Sequence, residues 1–139
     1  MPTLLFGGLT RAHDRLYQGA FASLGYRGEP LPPPDRHALN TGRIYCNKGQ
    51  CNPVYYTAGS LINYLNELKK RGERDIRERY LFITAGSCGP CRFGMYEMEY
   101  RKALRDAGFG GLTVIALQQG DAMVRDLEHM GFSIKRRDF

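Results

Sequence analysis

Apolar residues along this chain fall in two rhythms. Thr3 to Phe6, Tyr80 to Ala85 and Leu112 to Leu117 are short apolar runs, closed by glycine or polar residues. Runs of that length between turn signals predict buried strands. Elsewhere apolar residues recur at helical spacing. Leu16, Ala20 and Leu24 predict the inner face of a first helix, ended by Gly25. Leu61, Leu65 and Leu68 predict a second, ended by Gly72, and Phe93, Tyr96, Tyr100, Leu104 and Ala107 a third, ended by Gly108. Asp121 to Met130 predicts a last helix, followed by a short piece, Phe132 to Lys135. A weaker extended piece covers Tyr26 to Leu31. Asn52-Pro53 reads as an N-cap followed by proline at the first helical position.

Strands alternating with helices predict an α/β fold of three layers, a mostly parallel sheet with helices on both faces. Residues 1–139 suit a single domain with one core. Pro32-Pro33-Pro34 opens a connection of about twenty residues, long enough to expect function in it. Glu73 to Arg79 reads as a charged linker. In a parallel sheet the strand-to-helix loops emerge at the carboxyl ends of the strands, where such folds bind ligands. On this reading Gly7-Gly8, the loop from Cys46 to Cys51, the loop from Cys88 to Cys91, and Gln118-Gln119 share one rim.

Composition changes this picture little. A hydrophobic share of 42% and a charged share of 24% are ordinary for a globular domain. No apolar run is long enough to span a bilayer, and MPTLLFGG lacks a basic signal-peptide start, so a cytoplasmic protein without a membrane partner is expected. The net charge of +6 is scattered, apart from Lys135 to Arg137. No basic stripe is interleaved with aromatics, which argues against nucleic acid. An anionic ligand of the CoA type or an acidic protein partner would use the same charge.

The cysteines carry the chemistry. All four fall in two tight pairs, Cys46 with Cys51 and Cys88 with Cys91. Such spacing, in a chain read as cytoplasmic, points to metal or redox ligands rather than structural disulfides. Cys51 is expected one residue before a helix N-cap, and Cys91 at a helix start. The N–H groups and dipole there favour thiolates. CGPC after a strand resembles a thioredoxin active site, but no proline follows Pro90 to supply that fold's cis turn. A C-x4-C with a C-x2-C also suits structural zinc, although zinc ribbons place their pairs on hairpin knuckles rather than ahead of long helices. An iron–sulfur cluster, held by four thiolates or by three with an open iron, fits best.

Neighbouring residues extend the candidate site. Lys48 and Arg92 sit beside cysteines, where a cation favours thiolate or clamps a CoA phosphate or thioester oxygen. The amides of Gln118 and Gln119 are placed to bond cluster sulfide or ligand. His13 and Asp14 read as an exposed histidine and a helix-dipole carboxylate. Tyr55, Tyr56, Tyr96 and Tyr100 read as core, His37 and His129 as surface, and Glu97 and Glu99 as helix-surface pairs such as Glu97 with Arg101.

The stretches LFGGLTRAHDRL, LGYRGEPLPPPD, YCNKGQCNPVYYTAGSLINYL and CGPCRFGMYEMEYRKALRDAGF resemble the activator family of 2-hydroxyacyl-CoA dehydratases. More narrowly they resemble the dehydratase-like part of the long fused CoA-substrate-specific activases, which are related to double-cubane cluster proteins. The resemblance implies an oxygen-sensitive iron–sulfur protein of anaerobic metabolism, with a [4Fe–4S] or double-cubane cluster. It implies Cys46, Cys51, Cys88 and Cys91 as ligands, surrounded by Asn47, Lys48, Gln50 and Arg92. Its implied partners are other domains of a fused activase or separate subunits, and acyl-CoA. The activator's glycine-rich nucleotide loops are missing, so this chain reads as one domain of a larger architecture, with no ATPase activity of its own.

Overall fold

A computed structural model describes residues 1–8, 10–86 and 91–117. Among the described residues four parallel strands form one sheet: β1 (Thr3–Phe6), β2 (Gly28–Pro30), β3 (Tyr80–Ala85) and β4 (Thr113–Leu117), in the order β2-β1-β3-β4. Pairing is regular, with Leu5 opposite Phe82 and Phe82 opposite Val114. The chain leaves β1 towards one edge and returns past it to β3. The carboxyl ends of β1 and β3 therefore flank a topological switch point, the usual ligand position in open parallel sheets.

Alternation along the strands splits the core in two, and helices cover both faces as the sequence predicts. Leu5, Phe82 and Val114 face α2 (Arg36–Tyr45), α3 (Asn52–Lys70) and α5 (Tyr96–Leu104). Leu4, Phe6, Leu81, Ile83 and Ile115 form the other face with Phe21 of α1 (Arg11–Ser23). Leu61, Leu65 and Leu68 of α3 and Tyr96, Tyr100 and Leu104 of α5 are buried as their spacing requires.

The first helix is turned differently from expectation. Leu16 is 70% exposed, whereas Phe21 is 7% exposed. The edge strand β2 has only three residues, and aromatic packing sets the helix rotation. Phe6 lies 5.5 Å from Phe21 and 6.3 Å from Tyr17, centre to centre. The twenty-residue connection is also not a plain loop. Asp35 accepts the Ala38 N–H at 2.8 Å and starts α2. The inner face of α2 consists of Ala38, Thr41 and Gly42, too small to register as hydrophobic periodicity. The charged linker likewise contains one short helix, α4 (Ile76–Arg79), with Ile76 buried. No helix among the described residues is long and apolar enough to cross a membrane. The expected last helix and the piece Phe132 to Lys135 lie outside the described residues.

Helices α2 and α3 touch backbone to backbone. A methyl added to Gly42 would sit 1.9 Å from the Tyr55 carbonyl oxygen, and one added to Gly59 would sit 1.7 Å from that of Ala38. Neither oxygen can move without breaking its helix. Gly42→Ala and Gly59→Ala should each destabilise the domain by at least about 1–3 kcal/mol, despite alanine's better helix propensity. Gly19→Ala, in open space on α1, should instead stabilise by about 0.5–1 kcal/mol. Urea unfolding midpoints of the three variants check this contrast. Equal effects at all three positions would remove the close-packing argument.

Candidate functional site

Close packing of α2 on α3 leaves only a tight loop between them, and the first cysteine pair sits at its two ends. Cys46 is the C-cap of α2, with its N–H on the Gly42 carbonyl at 2.8 Å. Cys51 is itself the N-cap of α3, so the expected N-cap, Asn52, is the first helical residue. Among the described residues no side chain caps this helix start. The loop joins two helices rather than a strand and a helix, because α2 precedes it. It still reaches the carboxyl rim, since α3 runs back from there towards the start of β3. Gly8, at the end of β1, abuts the same helix: a methyl there would stand 3.0 Å from Thr57 Cγ2.

Helix α5 grips this loop along one face. Lys102 Nζ donates to the Tyr45 carbonyl at 2.7 Å. Glu99 accepts the Asn47 backbone N–H at 2.5 Å and the Asn47 side-chain amide at 3.1 Å. Tyr96 Oη lies 2.6 Å from Cys51 Sγ. From the α3 side, Tyr55 Oη donates to the Asn47 carbonyl and accepts the Gln50 N–H, both at 3.0 Å. Glu99 thus corrects the surface-pair expectation: it is 8% exposed, and its carboxylate is committed to the loop. Glu97 does pair with Arg101, at 2.7 Å. Tyr96 is core, as read, but it is also polar machinery, which its spacing did not reveal.

The second pair is represented by Cys91, an exposed residue that caps the single 3-10 turn Arg92–Met95 ahead of α5. It therefore heads a turn rather than the helix proper. Burial above all, then the hydrogen bond to Cys51 and the nearby Cys51, Tyr100 and Cys91 groups, hold the Tyr96 phenol above its usual range. Cys51 touches that hydroxyl, and Cys91 heads the turn that runs into Tyr96. Cys88, Gln118 and Gln119 lie outside the described residues.

Cys46 differs from both. Its thiol is 5% exposed and packs in the core beneath α3. Burial first, then the charge of Glu99, push it up to about 12, with Lys102 opposing. By exposure and donor chemistry a soft thiolate centre suits the half-buried Cys51 and the exposed Cys91; Cys46 suits it only if its sulfur turns out of the core and loses its proton. Among the described residues no three His, Cys, Asp or Glu side chains gather as a metal site. Lys48 and Arg92 are exposed, and Gln50 enters the site through its backbone.

Gly8, Pro34, Asn52, Pro53, Tyr56 and Thr57 line an open depression of about 300 Å³ beside Cys51. At α1, Thr10 caps the helix and its hydroxyl meets His13 Nδ1 at 2.8 Å. One Asp14 carboxyl oxygen is buried without a hydrogen-bond partner, and burial raises its pKa while His13 lowers it. No protein-family model, curated protein or solved structure matches the chain.

Two outcomes follow from this geometry. Glu99→Ala strands the Asn47 N–H and should destabilise the domain by about 1–3 kcal/mol, whereas Glu99→Gln keeps an acceptor and should lose clearly less. Chemical denaturation of both variants decides it; equal losses would mean that packing, not the hydrogen bond, matters there. The second concerns pH. The buried thiol keeps its proton up to about 12, while the unfolded chain releases it near 9.0. The folded state then binds more protons through that window, so stability falls as pH rises from about 9 to 12. Tyr100, raised from 10.0 to about 12 chiefly by burial, adds to the fall above pH 10. In metal-free protein, Cys46→Ala should flatten the part that begins near pH 9. An unchanged profile in that variant would show that another group titrates there.

Proposed function

We propose that this domain holds an iron–sulfur cluster at the switch-point rim and passes low-potential electrons in 2-hydroxyacyl-CoA dehydratase or activase chemistry. The observation that carries the reading is the Cys51 sulfur on the Tyr96 hydroxyl at 2.6 Å, with Cys91 heading the turn that runs into Tyr96. Cys88, three residues before Cys91, would supply a further thiolate. Cys46 would join only by leaving the core.

When bound, such a cluster supplies a one-electron carrier whose potential depends on net charge, solvent exposure and hydrogen bonds to sulfur. The chain's own residues do the rest. Tyr55 and Glu99 fix the loop backbone between the first two cysteines. The start of α3, with its N–H groups, stands at the Cys51 side of the rim, where the helix dipole suits an anionic centre. Lys48 and Arg92, both exposed, are available to anionic phosphates of an acyl-CoA or to an acidic partner subunit. The apolar depression at Gly8 and Tyr56 would take an acyl group next to the cysteines.

Anaerobically purified protein should be brown, contain iron and acid-labile sulfide, and bleach in air. Cys51→Ser and Cys91→Ser should each remove most of the iron while the far-ultraviolet circular dichroism stays unchanged, because the core does not depend on the metal. Cys46→Ser should remove less. Colourless protein with stoichiometric zinc would replace this reading with a structural zinc module that docks partners. Protein free of both metals, with a Cys88–Cys91 disulfide turned over by dithiols, would revive the thioredoxin-like reading.

A further inference from the structure

The first cysteine loop and α5 pair in antiparallel order: Tyr45 with Lys102, Asn47 with Glu99, Cys51 with Tyr96. The first two contacts end on backbone groups and fix the loop. The third ends on a sulfur. Tyr96 is the first residue of α5, directly after the turn headed by Cys91, so one residue follows Cys91 closely in the chain and hydrogen-bonds Cys51. Its ring is 5% exposed and wedged between Phe93, 5.1 Å away, and Tyr100, 6.2 Å away, both edge-on. The hydroxyl is thereby held on Cys51 rather than left to solvent. A sulfur that is ionised or metal-bound has no proton to give, so Tyr96 must then be the donor.

We propose that Tyr96 is the positioning residue that sets the potential of the thiolate centre, its hydroxyl drawing negative charge from Cys51 Sγ. The inference rests on the reading of Cys51 as a metal ligand. A hydrogen bond to a ligating sulfur stabilises the reduced, more negative state and weakens the sulfur's donation to the metal. In this role Tyr96 acts through the sulfur.

Tyr96→Phe tests this, because it removes the hydroxyl and keeps the wedged ring. Tyr100→Phe is the control: that hydroxyl is one turn further on and bonds Thr57 at 2.8 Å, not a sulfur. Two readouts apply to each full-length variant. Metal-free protein is titrated with cobalt(II), whose thiolate charge-transfer bands report sulfur donation. Iron-loaded protein is poised with redox mediators to find its midpoint potential. Tyr96→Phe should bind the same amount of each metal, with the cobalt band moved to lower energy and the midpoint moved negative; Tyr100→Phe should move neither. Unchanged band and midpoint in Tyr96→Phe would overturn the proposal and leave Tyr96 a packing residue. Loss of metal from Tyr96→Phe alone would overturn it in favour of a role in assembly. Wild-type protein that takes up neither cobalt nor iron would overturn the metal reading itself, and this role with it.

Discussion

Everything near the cysteines depends on how closely α2 approaches α3. Gly42 and Gly59 let each helix rest on a carbonyl oxygen of the other, a distance no side chain permits. That approach places the end of α2 over the start of α3 and compresses the connection between Tyr45 and Asn52. Cys46 and Cys51 are then the two ends of one short arch. A wider helix pair would carry the same cysteines without holding them against α5.

The arch has an inside and an outside, and this separates its two thiols. Cys46 points into the core beside a buried carboxylate and keeps its proton to about 12. Cys51 stands at an uncapped helix start on the rim, with a phenol for a partner. Two cysteines five residues apart therefore stand in different surroundings. Glu99 contributes to both conditions, since it fixes the loop through Asn47 and places negative charge beside Cys46.

The sheet supplies the last constraint. With β1 and β3 adjacent and parallel, the end of β1 at Gly8, the start of α3 and the turn before α5 meet at one edge. An aromatic series then ties this edge to the sheet: Phe93, Tyr96, Tyr100 and Phe82 stand in edge-on contact, 5.1 to 6.2 Å apart. A change at the rim is met by a stiff core rather than by a mobile loop.

Strand runs, the inner faces of α3 and α5, and the parallel α/β class were legible in the sequence because each is a local signal. Apolar run length and helical period depend on near neighbours alone. The places of Cys51 and Cys91 ahead of helical segments were legible for the same reason. Helix α2 was not, because its inner face is built of alanine, threonine and glycine, whose value lies in what they allow another helix to do. The rotation of α1 was decided by aromatic rings packing across the sheet edge, which left Leu16 outside. The burial of Cys46, the clamp of Glu99 on Asn47 and the address of Tyr96 to Cys51 all join residues 45 or more positions apart. Contacts of that range leave no periodicity in a sequence. They exist only once the sheet order and the α2–α3 contact have brought the loop and α5 together.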